Sequence, residues 1–127
     1  MVSTIAVVAF GGALGAIARY GVNIGATQIF GHGFPWGTLI VNILGSFLMG
    51  VVIAKFASMD NVSQELKTLY VTGFLGAFTT FSTFSLDFVS LWERGEMIQA
   101  VSYMLVSVIA SIMALFIALW VMKGTIS

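Results

Sequence analysis

The sequence predicts an all-α membrane protein: one domain of four transmembrane helices, the third broken near its middle. Three observations carry that expectation. Of the 127 residues, 59% are apolar and only 8% are charged, with a mean hydropathy of +1.06, whereas a water-soluble domain carries about 25% charged residues. Four apolar segments, residues 4–27, 37–57, 67–91 and 98–122, each approach or exceed the ~20 residues that cross a bilayer. The third segment then sets two glycines and five hydroxyls into residues 73–85, at a depth where a lipid-facing helix has no use for them.

Composition also excludes. The chain has no cysteine, which removes disulfides, thiolate metal sites and a cysteine nucleophile. Its net charge of zero argues against nucleic acid as a target.

The first segment holds no Lys or Arg before Arg19, so it lacks the positive n-region of a secretory signal. Ala16-Ile17-Ala18 imitates a cleavage site, but Arg19 follows and the apolar pattern resumes, as expected of a retained spanning helix. Small residues four apart (Gly11/Gly15, Gly12/Ala16, Gly21/Gly25 and, in the second segment, Ser46/Gly50) suit close helix contacts within one chain or between chains. Arginine at bilayer depth costs several kcal/mol. Arg19 therefore either snorkels to the interface or lines an electropositive vestibule that draws anions.

The second segment starts after Pro35, the only proline, and carries Asn42 early in its length. An amide there brings two donors and an acceptor into apolar surroundings and must find a partner. It is either an interhelical hydrogen bond or a donor aimed at a dehydrated anion. His32, in the preceding loop beside Gly31 and Gly33, has no metal-ligand companion and reads as a surface residue.

The third segment contains Gly73-Phe74-Leu75-Gly76-Ala77-Phe78-Thr79-Thr80-Phe81-Ser82-Thr83-Phe84-Ser85. Glycine loosens a helix, and the hydroxyls can satisfy backbone groups that the loosening frees. The expected break covers residues 76–79, and a helix restarts across Phe81 and Phe84. Phe74, Phe78, Phe81, Phe84 and Phe88, at spacings of four, three, three and four, would line one face of an unbroken helix. That stripe suits packing, but aromatic rings also have positive edges that can contact a small anion. Asp87 reads as an interfacial charge or the partner of a basic neighbour. On the fourth segment, Tyr103, Ser107 and Ser111 share a face at i, i+4 and i+8. They form a polar rail or bond back to carbonyls of their own helix.

An even number of spans puts both ends on one side. Lys55, Lys67 and Lys123 then lie opposite Arg94 and Arg19, a difference too small for the positive-inside rule to fix one orientation firmly. Insertion both ways, and with it an antiparallel homodimer, is one reading. A single topology set by Lys55 and Lys67 is the other.

The blocks at residues 11–20, 36–50 and 73–85, above all Thr79-Thr80-Phe81-Ser82-Thr83-Phe84-Ser85, resemble those of the bacterial fluoride channel family (Fluc, also called CrcB). The resemblance implies a dual-topology antiparallel homodimer in the bacterial inner membrane, with two fluoride pores and a sodium ion at its centre. It implies sodium ligation by the backbone carbonyls of Gly76 and Thr79. It further implies ring edges from Phe81 and Phe84, a fluoride donor in Asn42, and a polar rail in Ser82 and Thr83. Tyr103, Ser107 and Ser111 match pore-side positions, and Arg19 would belong to the aqueous vestibule. Ala77 departs from relatives with a second glycine there. The partners implied are fluoride, sodium, a second copy and the lipid bilayer, with no nucleic acid and no enzymatic chemistry. The alternative is a proton-coupled four-helix exporter of the multidrug type, which needs a carboxylate deep in a helix. A non-transporting membrane scaffold would leave the hydroxyl-rich stretch without a purpose.

Overall fold

The computed structural model describes residues 2–126, whose regular structure is all helical. Helix α1 is Val2–Phe30 and α2 is Trp36–Ser58. Helix α3 covers residues 64–78, α4 is Phe81–Glu93 and α5 is Met97–Ile126. Among the described residues, four segments are long and apolar enough to cross a membrane: Val2–Phe30, Trp36–Ser58, Gln64–Glu93 (α3 with α4) and Met97–Gly124.

The helices run past the apolar segments because their ends are capped. Gly31, at φ +81°, donates its N–H to the Thr27 carbonyl at 2.8 Å and closes α1 with a left-handed cap. After α4, Gly95 (φ +80°) and Glu96 donate to the Trp92 and Leu91 carbonyls, each at 3.0 Å, a paired C-cap that turns the chain sharply into α5. The Ser63 hydroxyl accepts the Leu66 N–H at 3.1 Å and starts α3.

Helix α3 is not uniform. After one ordinary turn, Thr68–Leu75 widens to π geometry, and Gly76 N–H reaches the Val71 carbonyl five residues back. The widened turns lie against α1 almost backbone to backbone. A Cβ on Gly11 would stand 2.6 Å from the Leu69 carbonyl oxygen, one on Gly73 3.1 Å from Gly11 Cα, and one on Gly15 would meet the Phe74 carbonyl. Helix α2 packs along α5 in the same manner at Gly50, where a Cβ would lie 2.7 Å from that of Ala118. These small-residue contacts are therefore made within the chain. Gly21 and Gly25 meet nothing within 4 Å. In lipid, helices gain little from burying apolar surface against one another, so close approach through glycine does much of the holding.

The helix leaves regular geometry at Thr79 (φ −88°, ψ 159°) and Thr80 (φ −154°, ψ 126°). This corrects the expected position. Gly76 is helical (φ −62°, ψ −37°) and the helix continues to Phe78, so glycine's freedom is not what is used. Extended backbone falls on two β-branched residues, which tolerate it well. The two extended residues also split the phenylalanine stripe expected along one continuous face. Phe74 and Phe78 stack at 5.8 Å on one side of the interruption, and Phe81 and Phe84 pair at 5.5 Å on the other. Beyond it, Leu39, Phe84, Leu91, Ala100 and Tyr103 form the buried core between α2, α4 and α5.

Candidate functional site

The interruption is held from α2 and α1. Asn42, on α2, accepts the Thr80 N–H through Oδ1 at 2.8 Å and donates from Nδ2 to the Thr80 carbonyl at 3.1 Å. One amide thus replaces both backbone partners that Thr80 lost on leaving the helix. One turn along, Gly45 faces the Thr79 methyl group and the Phe78 ring, with no room for a side chain. From α1, Arg19 Nε donates to the Ala77 carbonyl at 3.0 Å. Thr80 then caps α4, its hydroxyl accepting the Thr83 N–H at 3.2 Å.

This geometry diverts two α-helical donors. Thr80 N–H, four residues after Gly76, goes to Asn42, and Thr83 N–H, four residues after Thr79, goes to the Thr80 hydroxyl. The carbonyls of Gly76 and Thr79 thereby lose their i+4 partners. Leu75 keeps its own, accepting both the N–H (3.1 Å) and the hydroxyl (3.0 Å) of Thr79.

Beside the interruption lies a cleft of about 450 Å³ that brings together Asn42, Phe81, Phe84, Ser107 and Ser111, with Thr79, Thr80, Gly45 and Ser46 along its wall. No charged side chain lines it among the described residues. Phe84 is buried at 9% exposure and packs against Tyr103, whereas Phe81, 77% exposed, stands at the open side of the cleft. Ser107 Oγ and Ser111 Oγ are buried without a hydrogen-bond partner, so neither bonds back to a carbonyl of its own helix. An unpartnered buried hydroxyl is costly, and two of them on one cleft wall are donors in search of an acceptor. Asn42 retains one N–H beyond the one given to Thr80.

Other expected site residues lie elsewhere. Ser82 is exposed, its hydroxyl 3.5 Å from that of Thr80. Thr83 lines a second cavity of about 300 Å³ at the α1–α2 loop end, with Asp87, Asn23, His32 and Arg94. Tyr103 is fully buried and does not continue the serine rail: its hydroxyl donates to Asp87 Oδ2 at 3.0 Å. Of the two readings of Asp87, the pairing with a basic neighbour is replaced by this bond from Tyr103. Arg94 is engaged elsewhere, with Glu96 at 2.8 Å and the Gly33 carbonyl at 2.9 Å. Arg19 lines neither cavity. Thr80 is among the hydroxyls expected to satisfy freed backbone groups, but its place as the N-cap of α4 is a role the sequence reading did not assign. Its signal was a hydroxyl three residues ahead of Thr83, the spacing of an N-cap.

The family described as CrcB-like protein, Camphor Resistance (CrcB), matches residues 6–119. The fluoride-specific ion channel FluC of Mesorhizobium japonicum is 48% identical over 117 residues, covering 92% of this chain and 94% of that protein. The protein of the same name from Agrobacterium fabrum is 50% identical over 115 residues, with coverage of 91% and 92%. That from Cereibacter sphaeroides is 47% identical over 124 residues, covering 98% of each chain.

Proposed function

The chain belongs to the CrcB-like family, and we propose on that footing that it is a fluoride-selective channel, letting cytoplasmic fluoride out passively. It is a multi-pass bacterial membrane protein, and its working place in this reading is the inner membrane. The observation that carries the function is the cleft of Asn42, Phe81, Phe84, Ser107 and Ser111, with two orphaned hydroxyls and no charged lining among the described residues.

Fluoride is small and holds its water tightly, so a path must offer donors as water is stripped. A fixed cation in the wall would hold the ion too long for conduction. Neutral donors at intervals do better: the free N–H of Asn42, then the Ser107 and Ser111 hydroxyls one helical turn apart. The Phe81 and Phe84 rings, inclined at 50° to each other, offer the positive edges of their quadrupoles without a formal charge. They also keep the path narrow and dry.

Sodium fits the residues present. Carbonyl oxygens suit a hard cation, and those of Gly76 and Thr79 have lost their helical partners. Bound there, sodium would supply positive potential beside the anion path. A second, antiparallel copy completes the assembly. Two features support it: the weak charge bias between the two sides, and the exposure of Phe81 at the mouth of an open cleft. In this assembly the partner closes the cleft from lipid.

The proton-coupled exporter is less favoured. It needs an acid along the path, and Asp87, the carboxylate of α4 farthest from its end, accepts from Tyr103 outside the cleft. Purified protein in liposomes, assayed for fluoride and chloride efflux with and without a proton gradient, tests the reading. Electrogenic fluoride efflux indifferent to the gradient is expected. Efflux that requires the gradient would favour the exporter, and no efflux at all would leave the scaffold.

A further inference from the structure

Arg19 is a charge held inside a membrane-spanning segment, and among the described residues its one hydrogen bond goes to a carbonyl beside the interruption. Ala77 has lost its regular partner because Phe81, four residues on, starts a new helix. The carbonyls of Gly76, Ala77 and Thr79 therefore differ in fate. Gly76 and Thr79 are offered, while Ala77, between them, is taken by Arg19. The close approach of α1 at Gly15, whose Cβ would lie 3.1 Å from that of Ala77, is what brings the guanidinium within reach one turn later.

We propose that Arg19 is a positioning residue that makes the interruption of the third segment a site for a monovalent cation and excludes divalent ones. The inference rests on the sodium reading above and says why sodium, among hard cations, is the one admitted. Two effects act together. Arg19 withdraws the Ala77 carbonyl and limits the oxygens available, whereas calcium asks for six to eight. Its fixed positive charge also repels any ion at the neighbouring carbonyls, in proportion to the ion's charge, so a divalent ion meets twice the opposition of sodium. In the antiparallel dimer a second Arg19 adds to that opposition. The same charge, in a medium of low dielectric, raises the potential along the adjacent anion path.

The experiment is thermal unfolding of the purified protein in detergent, with sodium or calcium chloride exchanged for a bulky organic cation at constant ionic strength. Arg19→Gln places an amide nitrogen at the same number of bonds from Cα as Nε, so the Ala77 bond can persist without the charge. Arg19→Lys keeps the charge. The unmodified protein is expected to gain roughly 5 °C in its midpoint with saturating sodium and nothing with calcium. R19Q is expected to gain a calcium response, and R19K to behave as the unmodified chain. Equal stabilisation of the unmodified protein by calcium overturns the proposal without any variant, so it stays testable if R19Q does not fold. A sodium response with no calcium response in R19Q overturns the role of Arg19 and leaves the sodium site standing. Indifference of the unmodified protein to sodium overturns both.

Discussion

The two halves of the third membrane segment solve different problems with the same apolar budget of residues. Residues 64–78, widened into π turns over Thr68–Leu75, are pressed against α1 at Gly11, Gly15 and Gly73, so their close contacts are made by backbone. Phe81–Glu93 is an ordinary α-helix capped by Thr80, and it reaches a cleft through the Phe81 and Phe84 side chains. The first half has no room for added atoms at Gly73, and the second anchors the core through Phe84 and Leu91. What the difference teaches is that a membrane helix can present carbonyls on one side of a two-residue interruption and aromatic rings on the other. The interruption is held by an amide from α2 and a guanidinium from α1.

That contrast can be broken or sharpened by substitution. The largest effect is expected from Gly15→Val, which drives a branched side chain into the Phe74 carbonyl. Backbone cannot yield as a side-chain tip does, so a loss of about 3 kcal/mol or more follows, read as a fall in unfolding midpoint or in recovered folded protein. Next is Asn42→Leu. It leaves the N–H and carbonyl of Thr80 unpaired, at about 2 kcal/mol, and lowers fluoride efflux because the interruption loses its register. The smallest effect on stability is expected from Ser107→Ala. The hydroxyl, on a residue 5% exposed, has no partner, so its removal changes stability by about 0.5 kcal/mol or less and can raise it. Fluoride efflux should nevertheless fall. A Ser107→Ala protein that conducts as before and is less stable would mean that the serine is packing and not path.

Some of this was written plainly in the sequence. Four spans follow from apolar length alone, and the hydroxyl-rich stretch at residues 73–85 marks where the third span departs from an ordinary helix. Asn42, Phe81, Phe84, Ser107 and Ser111 could be singled out because polar or ring-edge chemistry at bilayer depth has few uses. The residue at which the helix opens was not readable. Gly76 is the obvious weak point, yet the outcome is decided by Asn42, 38 positions before Thr80 in the chain. Local propensity carries no record of such a partner. The same holds for Arg19, which reads as an interfacial or vestibular charge until α1 is laid against Ala77, 58 positions away. Tyr103 shares a helical face with Ser107 and Ser111, but its longer side chain carries the hydroxyl past the cleft to Asp87. Periodicity places a residue on a face, while side-chain length decides which cavity it reaches.

The central claim is that the cleft beyond the interruption is the fluoride path, and the ring pair tests it most directly. Fluoride efflux from liposomes should be measured for Phe81→Ile and Phe84→Ile beside the unmodified protein, with oligomeric state and unfolding midpoint checked on the same samples. Isoleucine keeps apolar bulk and removes the ring edge. The account predicts strongly reduced efflux in both variants with the assembly intact. Unchanged efflux in both would contradict it.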